Sequence, residues 1–118
     1  MKIMIVDDHA DMRRMLGSIV AIGAGVPVEI VECSDGEEAV RRYTDEHPDH
    51  VLMDVQLGEM NGFTAAERIQ EQDPLASVIF VSSHNTSAYR TKAKLLRARG
   101  FVSKENLSEL DTLLHTPH

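Results

Sequence analysis

The chain has 118 residues, a formal net charge of −7, 42% hydrophobic residues and 26% charged ones. That is the size of one domain, 1–118, able to bury a core without disulfides or structural metal, so a second domain is not expected. The acidic excess excludes a general nucleic-acid-binding surface, which needs clustered Lys and Arg, and no apolar run approaches the roughly 20 residues of a membrane span.

Strand-like sequence begins at Met1-Lys2-Ile3, which leaves no room for a signal peptide and makes a cytoplasmic location the expectation. Ile3-Met4-Ile5-Val6 is a continuous apolar run closing on Asp7-Asp8, the pattern of a strand covered on both faces. Met12, Met15, Leu16, Ile19 and Val20 follow at helical spacing with Arg13 and Arg14 outward, and Gly23, Gly25 and Pro27 end that helix. Val28, Ile30 and Val31 predict a second strand reaching Cys33, a lone cysteine read as a small apolar residue. Asp35 is placed to cap a helix that turns Ala39, Val40 and Tyr43 inward. After the turn His47-Pro48-Asp49, Val51 to Asp54 predicts the third strand. A loop with Gly58, Asn61 and Gly62 leads to a helix through Phe63, Ala66 and Ile69 that stops near Asp73-Pro74. Val78 to Val81 predicts the fourth strand, ending in Ser82-Ser83. Thr86 to Arg99 predicts a helix with an apolar stripe of Ala88, Ala93, Leu95 and Leu96 and a basic outer surface, Gly100-Phe101-Val102 a last strand, and Glu105 to about His115 a closing helix.

Five strands alternating with helices predict an α/β architecture, a doubly wound five-stranded parallel sheet with helices on both faces and right-handed crossovers. Strands of a parallel sheet deliver their carboxyl ends to one edge, where ligands bind. Asp7, Asp8, Asp54, Ser82 and Lys104 are therefore expected to meet in space. Three carboxylates together repel unless a cation compensates, which points to a hard divalent ion. Mg²⁺ suits oxygen ligands, and a backbone carbonyl near Gln56 offers one more. Lys104 supplies a fixed charge for an anion and the Ser82 hydroxyl a donor. A cation, a lysine and a hydroxyl around one carboxylate describe a site for placing a phosphoryl group on Asp54, because phosphoryl transfer asks mainly for positioning and charge neutralisation. Taken singly, Asp7-Asp8 reads first as a cap of the following helix and Asp54 equally as a cap or a functional group; the joint arrangement carries the functional reading.

Ile5-Val6-Asp7-Asp8-His9, Asp54-Val55-Gln56-Leu57-Gly58-Glu59-Met60-Asn61-Gly62 and Gly100-Phe101-Val102-Ser103-Lys104, in this order and spacing, resemble the receiver domain of two-component response regulators over essentially the whole chain. The resemblance implies the flavodoxin-like strand order 2-1-3-4-5. It implies that Asp54 accepts phosphoryl from a sensor histidine kinase or a histidine phosphotransfer protein, that Asp7 and Asp8 hold Mg²⁺ with Asp54, and that Lys104 contacts the phosphoryl group. Ser82 would swing toward the phosphate and Phe101, at the switch-aromatic position, would rotate inward, remodelling the surface of the fourth helix, fifth strand and fifth helix. A phosphorylation-dependent dimer, a downstream protein target or a C-terminal output domain would read that change, and the Asp-Asp-His opening is similar to receivers attached to helix-turn-helix transcription factors.

Four positions depart from the family pattern. Gly58 stands where proline is usual, Asn61 where aspartate is commoner, Arg97 where glycine is frequent, and Phe101 lacks a tyrosine hydroxyl. His84 and Gln56 flank the expected water path and are expected to tune the lifetime of phospho-Asp54. His9 is expected to cap or line the site, His47 and His50 to be solvated turn residues, and His115 and His118 to lie at the terminus without forming a metal site. Two rival readings are a small Mg²⁺-dependent phosphohydrolase with an aspartyl-phosphate intermediate and a receiver-like module that needs no phosphate. The first is opposed by Gln56, which stands where a leaving-group acid would be needed; the second by the intact acidic pair, Asp54 and Lys104. The expectation is a signalling switch, not an enzyme with an external substrate.

Overall fold

The computed structural model describes residues 1–115, so the expectation for His118 lies outside the described residues. The elements run β1 (Lys2–Val6), α1 (Ala10–Ala24), β2 (Glu29–Cys33), α2 (Gly36–Glu46), β3 (His50–Asp54), α3 (Gly62–Gln72), β4 (Val78–Ser82), α4 (Ser87–Leu95), β5 (Gly100–Ser103) and α5 (Glu109–His115). All strand pairs are parallel, in the order β2-β1-β3-β4-β5. Among the described residues no helix is long and apolar enough to cross a membrane.

The unalternating strands have a direct cause. Successive side chains of a strand point to opposite faces, and both faces are covered. Met4, Val6, Met53 and Phe80 pack with Ala39, Phe63 and Ile69 of α2 and α3. Ile3, Ile5, Leu52, Ile79 and Val81 pack with Leu16 and Val20 of α1 and with Leu110 and Leu114 of α5. Asp35 caps α2 as expected, and Asn61 and Thr86 cap α3 and α4 in the same way: their side chains accept from the backbone N–H groups of Glu38, Thr64 and Tyr89.

Helix edges depart from the sequence reading. Met15 is half exposed and Leu95 three-quarters exposed, because only Leu16 and Val20 of α1, and Ala93 of α4, point squarely at the sheet. The helix expected through Arg99 stops at Leu95. Arg97 adopts φ 57, Arg97 N–H donates to Lys94 at 3.0 Å and Ala98 N–H to Ala93 at 3.0 Å, the pair of bonds that closes a helix through a left-handed residue. The helix expected from Glu105 starts at Glu109, after turns in which Asn106 N–H donates to Ser103 and Glu109 N–H to Asn106.

One glycine fixes the approach of α3 to β3. A Cβ on Gly62 would sit 2.1 Å from the Asp54 carbonyl oxygen and 2.9 Å from the Met53 side chain, and Gly62 N–H donates to Val55 at 2.7 Å. Gly62→Ala is expected to cost about 1–3 kcal/mol by overpacking against backbone that cannot yield, read as a lower denaturation midpoint. Arg97→Gly is expected to gain about 0.5–1 kcal/mol, since the left-handed conformation strains a residue with a Cβ. Chemical denaturation measures both, and an Arg97→Gly variant less stable than wild type would contradict the account of the helix end.

Candidate functional site

The strand ends gather four polar side chains buried by more than nine-tenths: Asp7, Asp54, Ser82 and Ser103. Register sets their proximity, with Val6 opposite Met53, Asp54 opposite Val81 and Ser82 opposite Ser103. Lys104 follows β5, and its backbone N–H donates to Ser82 at 2.9 Å. Its ammonium then reaches back across the edge, donating to Asp7 Oδ2 at 2.9 Å and to Asp54 Oδ2 at 3.3 Å. The three side chains are 15%, 1% and 6% exposed, so this ion-paired triad lies out of bulk water.

Each carboxylate has a second support. Asp7 Oδ1 accepts from His9 N–H at 2.9 Å, and the Asp7 carbonyl accepts from the Arg13 guanidinium at 2.7 Å. Asp54 Oδ1 accepts from Gln56 N–H at 3.3 Å. Burial, opposed by Lys104 and reinforced by the charge of Asp7, leaves the Asp54 carboxyl above its ordinary pKa of 3.8. Burial works against the charge on Lys104, but its bonds and attraction to Asp7 and Asp54 outweigh this and hold its pKa above 10.5. The pocket is thus only partly neutralised.

Asp8 turns outward, half exposed, with His9 Nδ1 2.9 Å from its Oδ1 and 3.3 Å from Asp7 Oδ1. Ligand atoms of Asp7, Asp8 and His9 lie within 4.8 Å of one another, a donor set compatible with a divalent cation. Asp54 joins this group through the shared Lys104 ammonium. Gln56 and His84 are exposed at the rim. The Ser82 hydroxyl oxygen accepts from His84 N–H at 3.0 Å and so belongs to the turn after β4. Phe101 is only 8% exposed, and the Arg90 guanidinium lies 5.0 Å from its ring centroid. Cys33 is buried, its thiol pushed up to about 11 chiefly by burial, which keeps it protonated and unreactive.

A cleft of about 470 Å³ opens beside Asp54, lined by Asp8, His9, Val55, Gln56, Leu57, Gly58, Asn61, Phe63 and Tyr89. Gly58 has φ 69, which proline with its fixed negative φ cannot adopt, so this rim follows a path of its own. Sequence reasoning missed Arg13 and Tyr89. Arg13 was taken as an outward residue, yet it is partly buried between Asp7 and Glu32. Tyr89 carried one legible signal, its place three residues after the capping Thr86.

Comparison with known proteins matches residues 3–115 to a model of the response regulator receiver domain. The chemotaxis protein CheY of Thermotoga maritima is 39% identical over 103 residues, 87% of this chain and 84% of that protein. Protein-glutamate methylesterase/protein-glutamine glutaminase 1 of Syntrophomonas wolfei is 34% identical over 105 residues, which are 87% of this chain but 29% of that much longer protein. Among solved structures, the CheX-CheY-BeF3-Mg²⁺ complex of Borrelia burgdorferi includes a chain similar at a TM-score of 0.85 and 26% identity, over 96% of this chain and 85% of that one.

The raised proton affinity of Asp54 gives a signed expectation. A carboxyl that binds its proton more tightly folded than unfolded lowers stability as pH rises through 3.8 and through the higher folded value, and the loss is complete at neutral pH. Asp54→Asn is therefore expected to melt above wild type at pH 7, with the gap closing on acidification. Melting curves in metal-free buffer test it, and a wild type at least as stable at pH 7 would reverse the sign.

Proposed function

This chain belongs to the response regulator receiver domain family, and from that membership we propose that Asp54 accepts a phosphoryl group from the phosphohistidine of a sensor histidine kinase or histidine phosphotransfer protein. The observation that carries the proposal is the Lys104 ammonium held between two buried carboxylates at the strand ends. An oxygen of Asp54 attacks phosphorus, the P–N bond breaks, and the imidazole leaves with the bonding pair. Lys104 already lies within 3.3 Å of the accepting carboxylate, so it can follow the negative charge onto the phosphoryl oxygens without leaving the site. Because the buried carboxylates keep an excess of negative charge and Asp7 and Asp8 present ligand oxygens within 4.8 Å, the donor set fits Mg²⁺. Asp7, Asp8, Asp54 and the Gln56 backbone carbonyl would hold it, and it would supply charge neutralisation at the phosphoryl oxygens.

Ser82 and Phe101 form the proposed switch. The Ser82 hydroxyl would give up His84 N–H for a phosphoryl oxygen, and the packing of Phe101 under Arg90 would adjust with the turn that Ser82 leaves. The output is binding: by a downstream protein target, by an output domain C-terminal to this unit, or by a second copy in a phosphorylation-dependent dimer. The chain acts as a cytoplasmic switch over residues 1–118, not as an enzyme on external substrates. Its net charge of −7 opposes direct contact with nucleic acid, and no described helix suits a membrane.

Intact mass after incubation with acetyl phosphate and Mg²⁺ is expected to rise by one phosphoryl group in wild type and not in Asp54→Asn. A wild type that gains none removes the proposal. Lys104→Met is expected to slow the reaction by roughly 100-fold, the usual loss when one charge-stabilising donor is removed. Gln56 and His84, exposed at the rim, are proposed to govern water access to phospho-Asp54. Gln56→Ala and His84→Ala should each change its half-life, and half-lives equal to wild type would dismiss that role.

A further inference from the structure

The cleft that follows Asp54 is lined in part by Asp8 and Gln56, which the proposal above assigns to the phosphoryl site. Its lining also carries two aromatic rings, Phe63 and Tyr89. Tyr89 is held from behind: its backbone N–H donates to Thr86 Oγ1 at 3.1 Å, and its ring meets Phe63 edge-on at 5.4 Å and 89°. Phe63 in turn meets the buried Phe80 at 4.8 Å and 61°. The ring therefore borders the cleft in an orientation set by a row of rings running into the core. Gly58, also in the lining, has φ 69 and no side chain, and nothing lies within 4 Å of where a Cβ would be. The cleft thus combines polar groups at Asp8 and Gln56, whose backbone N–H donates to Asp54 Oδ1 at 3.3 Å, with the apolar rings of Phe63 and Tyr89.

A donor that presents phosphorus to Asp54 from this cleft must lodge its leaving group there. Acetate is small and charged, and gains little from an aromatic wall. Imidazole is a planar ring that packs on or against the edge of another ring. From this complementarity we infer that Tyr89 is a donor-specificity residue, forming the wall against which the imidazole of a phosphoimidazole-type donor packs during transfer to Asp54. The inference rests on the reading of Asp54 as phosphoacceptor. In the step the P–N bond breaks with its electron pair kept by the ring nitrogen, which takes a proton from water, while an O–P bond forms at the Asp54 carboxylate. Tyr89 neither gives nor takes a proton. Its contribution is ring contact, of the size of an ordinary aromatic pair, so its loss should lower the relative rate for the ring-bearing donor about 2- to 10-fold.

The test compares rate constants for phosphorylation of Asp54 by phosphoimidazole and by acetyl phosphate, both with Mg²⁺, in wild type, Tyr89→Phe and Tyr89→Leu. The readout is the ratio of the two rate constants, which a general loosening of the site would leave unmoved because both donors share Asp54 and Lys104. Tyr89→Phe should keep the wild-type ratio, and Tyr89→Leu, which preserves apolar bulk without a ring, should lower it about 2- to 10-fold. An unchanged ratio in Tyr89→Leu, or an equal fall in Tyr89→Phe, overturns the inference while leaving Asp54 as phosphoacceptor intact. A wild type phosphorylated by neither donor overturns that underlying reading, and the inference with it.

Discussion

Two carboxylates and one ammonium, all largely removed from water, set the terms for the rest of the molecule. Burying Asp7 and Asp54 without Lys104 would leave uncompensated charge in a medium that cannot solvate it, at several kcal/mol for each group. Lys104 relieves both through bonds of 2.9 and 3.3 Å. The relief is incomplete, since Asp54 still favours its proton more than an exposed carboxyl does. An under-stabilised carboxylate retains its affinity for whatever positive centre arrives, be it a cation or an electrophilic phosphorus. In the proposed reaction, the same imbalance that costs stability would favour attack by Asp54.

That balance depends on register. Asp54 meets Lys104 only because β3 and β5 sit one strand apart with Asp54 opposite Val81 and Ser82 opposite Ser103. A slip of one residue would turn Asp54 to the other face of the sheet and bring an apolar neighbour into the site. Continuous apolar strands do not specify register by alternation, so the specification has to come from elsewhere. Gly62 is one source: its N–H binds Val55, and its bare Cα lies against the Asp54 carbonyl, which locks the start of α3 onto the end of β3. Arg13 is another, gripping the Asp7 carbonyl from the first turns of α1.

Much of this was legible in the sequence, for reasons that differ by residue. The run Ile3 to Val6 announces a strand covered on two faces, and once five such runs alternate with helices, the topology alone carries Asp7, Asp54, Ser82 and Lys104 to one edge. The cap at Asp35 was read because a side-chain oxygen at that spacing has a local partner, whereas Asn61 and Thr86, which cap α3 and α4 in the same way, were placed only as a loop residue and a helix start. Met15, Leu95 and Arg13 were misread because their fate is decided at the margin of a helical stripe, where a small rotation of the helix exchanges solvent for contact. The end of α4 was misplaced because arginine rarely takes a left-handed conformation; the one signal, that Arg97 stands where glycine is frequent in the family pattern, was not read as a helix end. Tyr89 was overlooked since its significance lies in the row Tyr89, Phe63, Phe80, whose members come from three separate elements.

Phe101 carries no hydroxyl through which a switch could report, so in the proposed mechanism the signal has to travel by packing. A continuous route exists. Ser82 ends β4, and its hydroxyl holds His84 N–H in the turn that follows. Asn85 is the next residue, and its side-chain oxygen accepts from Arg90 Nε at 2.5 Å. Arg90 in turn covers the Phe101 ring. Drawing Ser82 toward a phosphorylated Asp54 would disturb the turn, the turn would carry Asn85, and Asn85 would shift the guanidinium that shields Phe101. A cation over an aromatic face is worth about 0.5–2 kcal/mol depending on its hydration, which is comparable to the free energy that separates two states of a sensitive switch. The apolar neighbours Ala93 and Ala98 are small, so the space around Phe101 and Arg90 can be rearranged without expelling a large side chain from the core.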